Sequence, residues 1–157
     1  MSENYMAKKL FDEGAAAYLK QDYHTSIKLF TQALKYDRKY SLVYSGRGTA
    51  HLKLKKFKKA ISDFSHAIRL NPKYARAYHF RGLAYEKMGD FAPAFRDFDQ
   101  AIEIDPDLAG AYRGRDSVLD KKIDHQLQIE DGEIADHLAS MRVSQFNVDK
   151  ILRDPEI

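Results

Sequence analysis

Cysteine is absent from the 157 residues. Without it there can be no disulfide framework, no thiolate metal site and no Cys nucleophile. Proline (4) and glycine (8) are too few for a collagen-like or low-complexity chain. No uninterrupted apolar run reaches membrane-spanning length, and the N-terminus, MSENYMAKKLF, lacks the apolar stretch of a secretory signal. A dominant charge is missing as well: 26 Lys+Arg against 23 Asp+Glu leave +3, too little to demand nucleic acid or an anionic membrane as partner. What is present, 44% hydrophobic and 31% charged residues, suits one compact or quasi-linear domain. The chain is expected to be soluble and cytoplasmic.

Sliding the sequence against itself reveals a period of 34, with units beginning at 7, 41 and 75. The fourth place of each unit holds Leu10, Tyr44 and Tyr78, and the eighth holds Gly14, Gly48 and Gly82. An aromatic recurs as Tyr23, Phe57 and Phe91, followed by Ser26, Ala60 and Ala94, then Phe30, Phe64 and Phe98, then Ala33, Ala67 and Ala101. Apolar and small residues three and four apart divide each unit into two helices, about 41 to 54 and 58 to 70 in the second unit. Asn71-Pro72 and Asp105-Pro106 end the second helices, since a residue before Pro is pushed out of the α region. A glycine inside a helix costs about 0.8–1.0 kcal/mol relative to Ala. Three such glycines at one offset therefore imply close backbone approach between paired helices.

This 34-residue helix-turn-helix unit resembles the tetratricopeptide repeat, with Gly at the eighth place, an aromatic after the turn, A-x-x-x-F-x-x-A in the second helix and Pro near the end. The resemblance covers residues 7 to 108 as three units behind an N-terminal tail of residues 1 to 6. The first unit departs from it with Ser26 and Arg38 where the others have Ala and Pro. It implies an all-α, right-handed superhelical solenoid of helix-turn-helix repeats closed by C-terminal capping helices.

A fourth unit starts at 109 with Tyr112 but fails, with Asp116 in place of Gly and His125 in place of the aromatic. Leu119, Ile123 and Leu127 instead continue a helical stripe, which predicts a capping helix over 109–128 that covers the apolar face of Phe95, Phe98 and Ile102. Beyond Glu130-Asp131-Gly132, a helical extension over 129–157 carries Ile134, Leu138 and Met141, with Ile151 and Leu152 after Asn147. Three roles stand open for it: an extended cap, a dimerisation element that would make the protein a self-assembling scaffold, or an occupant of the protein's own groove.

No nucleotide loop, H-E-x-x-H or EF-hand pattern is present, so no catalytic set and no cofactor are expected. Asp120, Asp124 and His125 form the nearest approach to a metal cluster, and their place on a surface helix favours solvation over ligation. His51 falls at a packed repeat position and is expected as a buried, satisfied imidazole. Gly110 and Gly114 are read as permitting close packing. Charge is uneven along the chain: +2 over 1–40, +7 over 41–74, −3 over 75–108 and −3 over 109–157. Lys53, Lys55, Lys56, Lys58 and Lys59 supply most of the excess at one turn, an edge that could attract phosphate, anionic lipid or an acidic partner. No aromatics are expected exposed between these lysines to stack bases, and nucleic acid and membrane are disfavoured as partners.

The resemblance also implies that the first helices line a concave groove. The family's groove places carry Lys8, Phe11, Asp12, Ala15, Tyr18 and Leu19 in the first unit, and Leu42, Ser45, Gly46, Thr49, Leu52 and Lys53 in the second. In the third they carry Arg76, His79, Phe80, Leu83, Glu86 and Lys87. Phe11, Leu42, Phe80 and Leu83 are expected free of the scaffold's own core, rimmed by Lys8, Arg76 and Lys87, which suits a partner's peptide or helix. One subclass of the family clamps chaperone C-terminal carboxylates with polar and basic residues. Its places are occupied here by Phe11, Ala15, Gly46, Arg76 and Phe80, so no such clamp is expected.

Overall fold

A computed structural model describes residues 2–129, and among them there are seven helices and no strand. They are α1 (Glu3–Leu19), α2 (Tyr23–Tyr36), α3 (Ser41–Lys53), α4 (Phe57–Leu70), α5 (Ala75–Lys87), α6 (Phe91–Ile104) and α7 (Ala109–Ile129). The chain divides after Val118 into two units, so the first ten residues of α7 belong with the repeats. In the second unit α7 continues to Ile129 with Leu119 and Ile123 exposed. The expected extension, including Ile134, Leu138, Met141, Ile151 and Leu152, lies outside the described residues, as do the roles suggested for it.

The repeat frame translates directly into helix pairs: α1 packs on α2, α3 on α4 and α5 on α6, with α2 on α3 and α4 on α5 joining successive pairs. Residues 3–6, expected as a tail, belong to α1 instead. Ser2 accepts a hydrogen bond from the Tyr5 amide at 3.3 Å and starts the helix ahead of the repeat frame. The interior is built from the recurring Phe and Ala positions, with Phe30, Phe64 and Phe98 almost fully buried.

The mid-helix glycines make room for a ring, not for a neighbouring backbone as the sequence suggested. A Cβ on Gly14 would stand 2.8 Å from the Phe30 ring, one on Gly48 3.0 Å from Phe64, and one on Gly82 2.9 Å from Phe98. A second glycine, at the sixth place of the following unit, meets the other side of two of these rings: Gly46 would put a Cβ 2.8 Å from Phe30, and Gly114 one 2.5 Å from Phe98. At the corresponding place against Phe64 the chain has Phe80, whose ring stacks at 5.9 Å between centroids. Ser26 explains the first unit's departure from Ala: fully buried, its hydroxyl donates to the Gly14 carbonyl oxygen at 2.8 Å.

Each first helix ends in one residue of left-handed backbone, at the same repeat place: Gln21 (φ 62°), Lys55 (φ 59°) and Gly89 (φ 80°). Only the third is the residue that tolerates it freely. Lys55→Gly and Gln21→Gly should therefore each raise stability by about 0.5–1 kcal/mol, read as a higher urea midpoint at unchanged m. A flat or lowered midpoint in both would contradict strain at this place.

Candidate interaction groove

The first helices of three successive pairs enclose a cavity of about 310 Å³. Phe11, Ala15, Tyr18 and Leu19 come from α1, Leu42, Ser45, Gly46 and Thr49 from α3, and Arg76 and Phe80 from α5. Phe30 of α2 and Tyr74, which precedes α5, complete the lining. Arg76 carries the only formal charge among these residues. Gly46 is small enough to leave the Phe30 ring as part of the lining, while Phe80 builds a wall where the neighbouring units have glycine. The Thr49 hydroxyl donates to the Ser45 carbonyl at 2.8 Å, so its proton is already engaged.

Ten of the eighteen expected groove residues line this cavity: Phe11, Ala15, Tyr18, Leu19, Leu42, Ser45, Gly46, Thr49, Arg76 and Phe80. The other eight do not. Lys8 is exposed and paired with Asp12 at 2.9 Å, and Lys87 is exposed at the end of α5. Leu83 packs on the Phe98 cluster. His79 stacks on Phe80 at 5.1 Å and lies against Phe98 at 6.0 Å. A Cβ on Gly110 would come within 2.7 Å of the His79 ring, so Gly110 does serve close packing, against an imidazole. Burial lowers the His79 pKa below 6.5, helped by Arg113 and Arg76.

The expectation that four apolar side chains stand free of the core also needs correction. Phe11 packs on Phe30 at 5.8 Å and Tyr40 at 5.3 Å, Phe80 packs on the Phe64 cluster, and Leu83 is held as above. Leu42 alone of the four is exposed, at 45%. The reason is geometric: in a stack of helix pairs, a first helix touches both its own partner and a neighbouring pair, so a groove residue is half-claimed by the interior.

An arginine system escaped the sequence reading. Arg47 holds Asp63 with two hydrogen bonds, Nε at 2.9 Å and an Nη at 2.7 Å, and reaches the Thr31 hydroxyl at 3.2 Å. Arg81 repeats this with Asp97 at 2.8 and 2.7 Å and Ser65 at 3.1 Å, and Arg115 donates to Asp99 at 2.9 Å. Each guanidinium also lies over the tyrosine three residues earlier, Tyr44, Tyr78 or Tyr112, at 5.8, 5.7 and 5.5 Å. The signal was in the sequence: Arg recurs at the seventh place of three units, always behind Tyr at the fourth, and the first unit lacks both. Burial raises the Asp97 carboxyl above 3.8, with Arg81 pulling the other way. The raised pKa means the folded state holds this proton more tightly. The contribution is therefore complete below the unfolded value and lost as pH rises through the folded one.

His51 is buried as expected but not satisfied: its Nδ1 has no hydrogen-bond partner, and its Nε2 lies 3.8 Å from Asp63. Burial lowers its pKa below 6.5, against the pull of Asp63. Among the described residues no three His, Asp or Glu side chains converge on a metal-sized space, and no helix is long and apolar enough to cross a membrane.

Successive helix pairs locked by ring-on-glycine contacts and by arginines bridging one pair to the next define a helical-hairpin repeat array. Residues 41–74 and 75–108 match the tetratricopeptide-repeat family model. The first pair, outside that match, has the same ring-on-glycine construction. A search of curated proteins finds no match. Similar solved structures include the first TPR of Spaghetti (RPAP3) bound to HSP90 peptide SRMEEVD, at 25% identity and TM-score 0.75, covering 76% of this chain and 94% of that one. The second TPR domain of human RPAP3 in complex with HSP70 peptide SGPTIEEVD is 25% identical at TM-score 0.72, covering 74% and 98%. The Sgt2 TPR domain from Aspergillus fumigatus is 29% identical at TM-score 0.73, covering 76% and 81%. Two of these neighbours are solved with a bound peptide.

Proposed function

We propose that this protein is a non-catalytic adaptor that holds an apolar peptide segment of a partner protein in the groove between α1, α3 and α5. One observation carries the reading: the cavity's lining is apolar and aromatic with a single charge, Arg76, at its rim. The five places that a carboxylate clamp would use, Phe11, Ala15, Gly46, Arg76 and Phe80, all lie on that lining, and four of them cannot bind a carboxylate through a side chain. Leu42 offers the exposed contact, and Arg76 orients a backbone carbonyl or an acidic flank.

Selection from a displayed random peptide library tests this. Enriched peptides should carry apolar anchors, and Leu42→Glu should weaken them about tenfold or more, as loss of a binding hot spot does. The free acid SRMEEVD should bind no better than its amide. Enrichment that survives Leu42→Glu, or micromolar binding of SRMEEVD lost on amidation, would overturn the reading.

A further inference from the structure

The lysine edge breaks a rule its neighbours keep. At the N-cap of the second helix the first and third units have Asp22 and Asp90, and Asp22 accepts a hydrogen bond from the Thr25 amide at 3.2 Å. The second unit has Lys56 there, with Lys58 and Lys59 directly behind it; like α6, α4 has no side-chain cap bond, and none of the three second helices has an acid in its first turn to offset the lysines. Cations at a helix N-terminus oppose the helix dipole, and Lys cannot accept from the free amides. Lys55 adds left-handed backbone at the adjacent position. The unit's single acid, Asp63, is committed to Arg47. Among the described residues none of Lys53, Lys55, Lys56, Lys58 and Lys59 is ion-paired, and all five are exposed.

These ammonium groups surround an apolar space. Lys55, Lys56, Lys58 and Lys59 line a cavity of about 470 Å³ together with Phe57 and with Met88, which caps α5 and is 37% exposed. From the sequence, charge is expected here with no aromatic exposed between the lysines, whereas Phe57 is half-buried. The cavity shares no residue with the groove.

We propose that this edge is a second docking site, for a short acidic protein segment that seats one aromatic or aliphatic side chain against Phe57 and Met88 while flanking carboxylates pair with Lys55, Lys56, Lys58 and Lys59. Charge complementarity fixes the sign of the occupant, and the apolar floor fixes its class. A phosphate polymer would use the lysines and leave Met88 in water. The positive surface is also one repeat long: the third unit, beginning beyond it, holds seven acids to four bases, which is unfavourable for a long polyanion or a bilayer.

Fluorescence anisotropy on the full chain tests the site, using a blocked peptide in which acidic residues flank one phenylalanine. The comparison probes are the same peptide with serine at its centre, oligodeoxythymidylate, and vesicles containing phosphatidylserine. Lys56→Gln/Lys58→Gln/Lys59→Gln and, separately, Met88→Glu should each weaken the phenylalanine peptide about tenfold or more, with helical circular dichroism unchanged. The serine peptide should bind about fivefold or more weaker than the phenylalanine one, and all binding should fall with added salt. Leu42→Glu should leave this binding intact, which separates failure here from failure of the groove reading. Equal binding of the two peptides, insensitivity to Met88→Glu, or tighter binding to oligonucleotide or vesicles would overturn the proposal.

Discussion

Phe98→Ala should destabilise the protein by about 3–5 kcal/mol, the range for deleting a buried aromatic that its surroundings cannot close over. Closure is blocked by the packing itself: the ring is fully buried between Gly82 of α5 and Gly114 of α7, with Ala94, Ala101, Ala111 and Val118 around it. The glycines and alanines that face the ring have no side chain to move into the space, and the larger neighbours His79 and Leu83 are held in their own contacts. Phe80→Ala, at a half-buried ring that is open to the groove, should cost less than half as much. Urea unfolding of both variants checks the order, and a Phe98→Ala loss no larger than that of Phe80→Ala would refute the ring-on-glycine account of the interior.

Asp97→Ala should cost about 3 kcal/mol, because it strands the partly buried Arg81 guanidinium that the carboxylate holds with two bonds. Asp99→Ala should fall within about 1 kcal/mol, since its contact with Arg115 is single and its carboxylate is half exposed. The pair is nevertheless expected to add little net stability, although Asp97 raises the Arg81 pKa through their hydrogen bonds. Burial penalises the ionised carboxyl enough to raise its pKa, so replacing both partners with Arg81→Met/Asp97→Leu should recover most of the loss. Thermal unfolding at pH 7 of the singles and the double decides it. A double variant as damaged as Asp97→Ala would show that the pair stabilises in its own right.

The helical frame was legible in the sequence because 34-residue periodicity ties every position to two others. For α3, α4 and α7 the expected bounds and the observed ones differ by one residue at each end at most. What periodicity could not supply was the partner of each position. It located Gly14, Gly48 and Gly82 but not the rings that fill the space they leave. It likewise placed Phe80 and Leu83 on the groove side of α5 without showing that the Phe64 cluster before it claims part of the one and the Phe98 cluster part of the other. The arginine bridges were missed for another reason. Arg47, Arg81 and Arg115 are surface-type residues, and their pairing with Asp63, Asp97 and Asp99 spans sixteen residues, beyond the reach of any single helical face.

The first repeat lacks this bridge within itself, with Glu13 and Leu29 where later units have arginine and aspartate. In a linear array, stability is a sum of terms intrinsic to each repeat and terms between neighbours. Arg47–Asp63 and Arg81–Asp97 enter the intrinsic terms of the second and third repeats, linking first helix to second. The first repeat has in that role only the buried hydroxyl of Ser26 on the Gly14 carbonyl, and its sole tie to the arginine system is Thr31. The described array is therefore polarised in kind: its N-terminal repeat can separate its two helices without breaking an ion pair, and α1, which supplies one wall of the groove, is held to α2 by ring packing and the Ser26 hydroxyl.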